Sequence, residues 1–222
     1  MFATTPLRIV AVSAGLSQPS STWLLADRLA AATRERLAAE QDRHGRDVEV
    51  RVIELRDLAV DIANHLVSGF PSATLREAID AVTEADGLIA VTPVFTASYS
   101  GLFKSFFDLI DHTALTGKPV VIAATGGTAR HSLVLEHALR PLFAYLRAVT
   151  VPTSVYAASE DWGSSGDEYT EGLPSRIRRA GGELASAVLG RTVSGAARAP
   201  GLDDGEDAVV PFEQQLADLR LD

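Results

Sequence analysis

The chain has 222 residues, 46% hydrophobic and 22% charged, with a net charge of −9 and no cysteine. These values describe one ordinary globular core and exclude disulfides, thiol catalysis and cysteine-ligated metal. The acidic balance argues against nucleic acid, whose binding rests on phosphate neutralisation. An anionic ligand must be held here by local dipoles against the overall field.

No basic region precedes the first apolar segment and no apolar stretch approaches membrane length, so the expectation is a cytoplasmic protein with no membrane association. Leu7–Ser13 reads as a first strand, buried on both faces as parallel strands are. Ser20 to about Ala39 reads as a helix with Leu24, Leu25, Leu29 and Leu37 apolar. From Asp47 to Leu55, Val48, Val50 and Val52 alternate with Glu49 and Arg51, the pattern of a strand near an edge. The segment Arg56–Pro71 reads as a long connection, of the kind that is often functional. A helix is expected over Leu75–Glu84, then a buried strand over Gly87–Thr92 closed by Pro93. Gly101–Asp111 reads as a helix, Pro119–Ala124 as a fourth strand and His131–Arg147 as a further helix. The fifth strand, Thr150–Tyr156, contains Pro152, which suits a strand end or edge. A helix over Leu173–Leu189 follows, then a Gly/Ala/Asp-rich linker, Gly195–Asp207. Beyond it Phe212, Leu216 and Leu219 fall at amphipathic helical spacing.

This alternation predicts an α/β protein: a three-layer fold with a five-stranded parallel sheet and helices on both faces. The expected organisation is one domain over residues 1–194, with 195–222 as linker and tail. In the flavodoxin-like order 2-1-3-4-5, strand order reverses between the first and third strands, and ligands bind beyond the carboxyl ends at that point. The loops after strands one, three and four should therefore form one site.

The first of these loops carries Ser13, Ser17, Ser20, Ser21 and Thr22 ahead of a helix, with Gln18 among them. Hydroxyls and a helix start can together hold a phosphate, and five hydroxyls exceed what one N-cap requires. Neither Gly-x-Gly-x-x-Gly nor a P-loop is present, and there is no Gly-x-Ser-x-Gly elbow for a hydrolase. The second loop, Thr92-Pro93-Val94-Phe95-Thr96-Ala97-Ser98-Tyr99, offers backbone amides to the edge of a planar ring and Phe95 or Tyr99 to its face. The last, Thr125-Gly126-Gly127-Thr128-Ala129-Arg130-His131, has paired glycines that admit a close ligand and two basic residues for a second, anionic one.

The Ser-rich first loop, Thr-Pro-Val-Phe-x-x-Ser-Tyr-Ser-Gly-Leu-x-Lys-x-x-x-Asp and Thr-Gly-Gly-x-x-x-His together resemble the NAD(P)H-dependent FMN reductase family over about Leu7–Tyr156. The resemblance is greatest to the branch that supplies reduced flavin to separate monooxygenases. It implies FMN, NADPH or NADH as electron donor, and a homodimer or homotetramer. By position, Ser13, Gln18 and Ser20–Thr22 resemble the phosphate-binding residues. Pro93, Val94, Phe95 and Thr96, with Ser98 and Tyr99, resemble the contacts to the isoalloxazine edge. Thr125, Gly126, Gly127 and Thr128 resemble the far side of the ring pocket, with Arg130 and His131 near the pyridine nucleotide. Many relatives carry an arginine in the first loop, whereas this chain has none from Ser13 to Thr22. That points to flavin held as a dissociable substrate. The cofactors carry the hydride chemistry, so no acid, base or nucleophile is required of the protein. The alternatives are an FMN-bound quinone or azo reductase and a flavodoxin-type electron carrier. A signalling receiver of the same fold would need an acidic cluster where Ser13-Ala14-Gly15 stands.

Overall fold

The computed structural model describes residues 5–163 and 171–194, with only the backbone of 43, 44 and 191–194. β1 (Leu7–Ser13) leads into α1 (Ser21–Ala39), a short α2 (Gln41–His44) and β2 (Val48–Glu54). A 3-10 turn, Leu55–Leu58, continues into α3 (Ala59–Ser68), and α4 (Ala73–Glu84) precedes β3 (Gly87–Phe95). Then come β4 (Ser98–Tyr99), α5 (Gly101–Phe107), β5 (Pro119–Gly126) and α6 (Arg140–Tyr145). β6 (Val149–Thr150), β7 (Val155–Ala158) and α7 (Leu173–Ser194) complete the described chain.

The parallel sheet runs β2-β1-β3-β5, with β6 and β7 sharing the fifth place beside β5. The fold is thus the expected flavodoxin-like one, with β2 at an edge as its half-polar pattern requires. On one face α1 and α7 cover Ile9, Ala11, Ile89, Val91 and Val121 with Leu25, Leu29, Leu184 and Val188. On the other, Val10, Val12, Leu88, Ala90 and Ile122 meet Leu75, Val82, Phe103, Phe107 and Phe143. The rings of Phe103 and Phe107 stand 4.7 Å apart and those of Phe107 and Phe143 5.0 Å, a tilted and edge-on stack.

Five expectations are corrected. Arg56–Pro71 is not an open connection: Leu55, Leu58 and Ile62 are buried at helical spacing and carry the 3-10 turn and α3, which ends at Gly69 in the left-handed conformation (φ 75°). β3 does not stop at Pro93 but pairs there with Thr125, because the missing N–H costs nothing where the ladder does not need it. The fifth strand is split around Pro152: four steps along β5 match six along its partner between the Pro119–Val149 and Ala123–Val155 pairings. Residues 131–147 are not one helix but a 3-10 turn at Ala129–His131, a π-helical turn at Leu135–Leu139 and then α6. Pro141, in the first turn of α6, cannot donate to His137, which favours departure from α geometry just ahead of it. The helix expected over Gly101–Asp111 ends earlier, at Phe107. Gly195–Asp207 and the Phe212, Leu216, Leu219 stripe lie outside the described residues.

Candidate functional site

At the carboxyl end of the sheet, Ser13 lies beside Glu54 and Val91, Thr92 beside Ala124, and Pro93 beside Thr125. The loops after β1, β3 and β5 therefore leave the sheet as neighbours. The first turns by way of Ala14 N–H, which donates to the Val91 carbonyl at 3.0 Å.

The five hydroxyls of the first loop have different fates. Ser20 is the N-cap of α1 and accepts from Trp23 N–H at 3.1 Å. Ser17 donates to the Pro19 carbonyl at 3.0 Å. Thr22 is buried and shares a 2.8 Å hydrogen bond with Thr125, which fastens the first loop to the third. Ser21 is exposed. Ser13 Oγ, on a residue 1% exposed, has no partner among the described residues. An orphaned buried hydroxyl at the end of a strand that leads into a helix is an unfilled donor for an anion. Gly15 shows how closely the loop is folded: a β-carbon there would stand 2.0 Å from Ser20 Oγ and 3.0 Å from Thr22 Cβ.

Arg56, just beyond β2, lies against this loop. Its Nη1 donates to the Ser17 carbonyl at 2.9 Å, and its Nη2 pairs with Glu54 at 2.8 Å. With the Gln18 amide in the orientation its surroundings require, its oxygen accepts from Nη1 at 3.1 Å and Nη2 at 2.6 Å. The cleft of about 720 Å³ along the loop is lined by Gln18, Ser20, Ser21, Arg28, Arg56 and Trp162, among others.

The ring end is built otherwise. β3 and β4 form a hairpin whose two turn residues, Thr96 (φ 49°) and Ala97 (φ 66°), both adopt the left-handed region. Positive φ at both positions is what a type I′ turn demands, yet neither residue is glycine and Thr96 is β-branched. Such strain persists where surroundings over-determine it and clusters at ligand clamps. Phe95 is 45% exposed beside it. Tyr99 is half-buried and turns to Phe103, ring centroids 6.0 Å apart, so Phe95 rather than Tyr99 is the ring left free. Thr92 secures the hairpin base by accepting Ser100 N–H at 3.0 Å.

In the loop after β5, Thr128 caps the following turn, accepting Arg130 N–H at 3.3 Å. Its carbonyl accepts the Tyr156 hydroxyl at 2.8 Å. A β-carbon on Gly126 would lie 2.0 Å from that hydroxyl, whereas one on Gly127 would meet open space. Gly126 is thus required by the fold, and Gly127 is the glycine open to a ligand. Burial first, then Asp161 and Glu160, push the Tyr156 phenol above its ordinary pKa. Arg130 and His131 line a cavity of about 360 Å³ together with Ala97, Ser98 and His137. Another concavity, about 510 Å³ between β1, β2 and α4, lies away from the strands' carboxyl ends, and its Arg8–Glu84 and Arg51–Glu77 ion pairs leave no seat for an anion.

The structure thus brings together Ser13, Ser20–Thr22, Pro93 and Thr125 at the sheet, and Ser98 with Arg130 and His131 beyond it. Two supporting residues escape a reading of the sequence. Arg56 carried a usable signal: it follows the strand paired with β1. Tyr156 had none, because its contact to Thr128 depends on the split in the fifth strand.

The family model for NADPH-dependent FMN reductases matches residues 7–163. The chain belongs to that family. The FMN reductase (NADPH) of Pseudomonas aeruginosa is 41% identical over 85% of this chain and 96% of its own. The NADH-dependent FMN reductase SfnF of Pseudomonas fluorescens is also 41% identical, over 83% of this chain and 93% of its own. Among solved structures, an oxidoreductase from Corynebacterium diphtheriae superposes with a TM-score of 0.76 at 46% identity, covering 83% of this chain and 98% of that one. Membership makes this reductase an NAD(P)H:FMN oxidoreductase, with FMN and reduced pyridine nucleotide as its cofactors. Among the described residues there is no metal-binding cluster and no helix long and apolar enough to cross a membrane.

Proposed function

We propose that the reductase holds the FMN phosphate at Ser13–Thr22, and the flavin ring between Pro93–Thr96 and Thr125–Thr128. Ser13 and Ser21 would serve the phosphate with the start of α1. Gln18 and Ser20 would shape the loop. Backbone of the Val94–Thr96 hairpin would meet the ring edge, with Phe95 and Gly127 at its borders and Ser98 and Tyr99 behind. Arg130 and His131 would receive the anionic part of the nucleotide. When bound, FMN supplies the two-electron chemistry, taking hydride from the nicotinamide. The protein's part is to stack the rings and limit water, so it needs no catalytic acid or base. The observation that carries this reading is the orphaned, buried Ser13 hydroxyl at the point where three loops leave the sheet side by side.

The reduced flavin is released to a partner monooxygenase in the cytoplasm. A phosphate loop with no arginine of its own suits a dissociable flavin. The catalytic domain is residues 1–194, with 195–222 as linker and tail. The working form is a homo-oligomer: α3 turns Val60 (73% exposed) and Val67 (91%) outward, with Phe70 (80%) just beyond, apolar side chains that a second copy can cover. Val67→Glu should lower the sedimenting mass.

The deciding assay is NADPH and NADH oxidation with FMN, FAD, riboflavin and a quinone side by side. FMN-dependent turnover following sequential kinetics, from protein purified colourless, is expected. No oxidation of either nucleotide above background with FMN present would refute the reading. Ping-pong turnover of the quinone by a yellow protein would replace it with a flavin-retaining reductase.

A further inference from the structure

We propose that Arg56, just beyond β2, is the positioning residue of the phosphate loop. This rests on the FMN reading above. Gly15 admits no longer residue, since even a β-carbon there would stand 2.0 Å from Ser20 Oγ, and no other position from Ser13 to Thr22 is basic. The guanidinium that meets this segment comes from outside it, from Arg56. Nη1 donates to the Ser17 carbonyl at 2.9 Å, both Nη1 and Nη2 donate to the Gln18 amide oxygen, Nη2 also pairs with Glu54 at 2.8 Å, and Nε stands 3.6 Å from Asp57. The side chain is 17% exposed.

The geometry makes Arg56 a clamp rather than a free phosphate ligand. Its planar fork meets a carbonyl, an amide oxygen and a carboxylate at once, which a lysine cannot do. Glu54 and Asp57 offset most of its charge. What remains is a fixed Ser17–Gln18 segment, and with it a fixed approach of the chain to the N-cap at Ser20 and to the unpartnered Ser13 hydroxyl. Arg56 lines the same cleft as Ser20 and Ser21, and no residue of Pro93–Thr96 or Thr125–Thr128 lines it. Its removal should therefore loosen recognition of the phosphate and leave recognition of the ring alone.

The test compares dissociation constants for FMN and for riboflavin, which has the ring and no phosphate, by flavin fluorescence with the full-length protein. Wild type, Arg56→Ala and Arg56→Lys are measured. Loss of charge-assisted hydrogen bonds to the loop should weaken FMN about 10- to 100-fold in Arg56→Ala. Riboflavin should stay within about twofold of wild type, because the ring contacts are untouched. Arg56→Lys should resemble Arg56→Ala, since charge without the fork does not clamp. Full recovery of FMN affinity in Arg56→Lys would overturn the clamp in favour of simple charge. Equal losses for FMN and riboflavin, or no loss in Arg56→Ala, would overturn the proposal while leaving the FMN reading in place. Wild-type protein that binds riboflavin no more weakly than FMN would instead sink the phosphate reading itself.

Discussion

At the Ser13–Thr22 loop most side-chain polar groups already have protein partners: Ser17 folds back on Pro19, Ser20 caps α1, Thr22 joins Thr125 and Gln18 meets Arg56. At the other end of the site, Thr96 and Ala97 are held in left-handed backbone, Phe95 is exposed and Gly127 faces open space. One end is preorganised by hydrogen bonds and leaves the buried Ser13 hydroxyl for its ligand. The other is preorganised by strain and leaves surface. A phosphate needs a few donors in fixed places, while a flat ring needs clearance and exposed amides, so the two ends solve different problems. The Thr22–Thr125 hydrogen bond joins them.

The harshest way to break the ring end is Gly126→Ala. The new methyl would displace the Tyr156 hydroxyl and its bond to Thr128. We expect a loss of about 3 kcal/mol in denaturant unfolding, the upper range for overpacking with a hydrogen bond lost. Tyr156→Phe removes the colliding atom, so the double variant should lose less than the sum of the singles; strict additivity would mean the clash lies elsewhere.

Breaking the link between the two ends comes next. Thr22→Val leaves the buried Thr125 hydroxyl unpaired and should cost about 1–2 kcal/mol, with flavin affinity falling too. Thr125→Val alone should cost a similar amount, and the double variant little more than either. Independent losses in that cycle would show that the ends are not coupled.

Relieving the strain sharpens the contrast in the opposite direction. Thr96→Gly should raise stability by about 1 kcal/mol, because glycine accepts a φ of 49° without the penalty a β-branched residue carries. The same change should raise the KM for FMN by loosening the hairpin that meets the ring. A variant no more stable than wild type would show that the hairpin is not strained.

The smallest effect concerns alkaline pH. The neutral Tyr156 phenol donates to Thr128, and burial raises its pKa in the folded state above the ordinary value of 10.0. The folded chain thus keeps this proton longer than the unfolded one. Its contribution is intact below about pH 10 and disappears as pH rises through the folded value. Melting curves between pH 9 and 11 should show a steeper decline for wild type than for Tyr156→Phe, and parallel declines would remove Tyr156 from the account.

The sheet was legible because its strands are nearly continuous apolar runs, and the three site loops because each departs from such a run with unusual residues. Helix α3 was not, since Ala59, Val60, Ala63, Leu66 and Val67 blur an amphipathic pattern whose outer face is itself apolar. The hairpin was hidden behind Pro93, usually a strand breaker, and by a I′ turn lacking the Asn or Gly that announces one. Within the first loop the sequence displays five hydroxyls alike. Only their partners in the fold separate Ser13, available to a ligand, from Ser20 and Thr22, which hold the loop together.

The central claim, that these three loops form one flavin site with its phosphate at the start of α1, is tested most directly by a crystal structure of the full chain with FMN. The account predicts the phosphate within hydrogen-bonding distance of Ser13 Oγ and the ring between the Pro93–Thr96 hairpin and Gly126–Thr128. A phosphate bound elsewhere, with Ser13 Oγ still unpartnered, would contradict it.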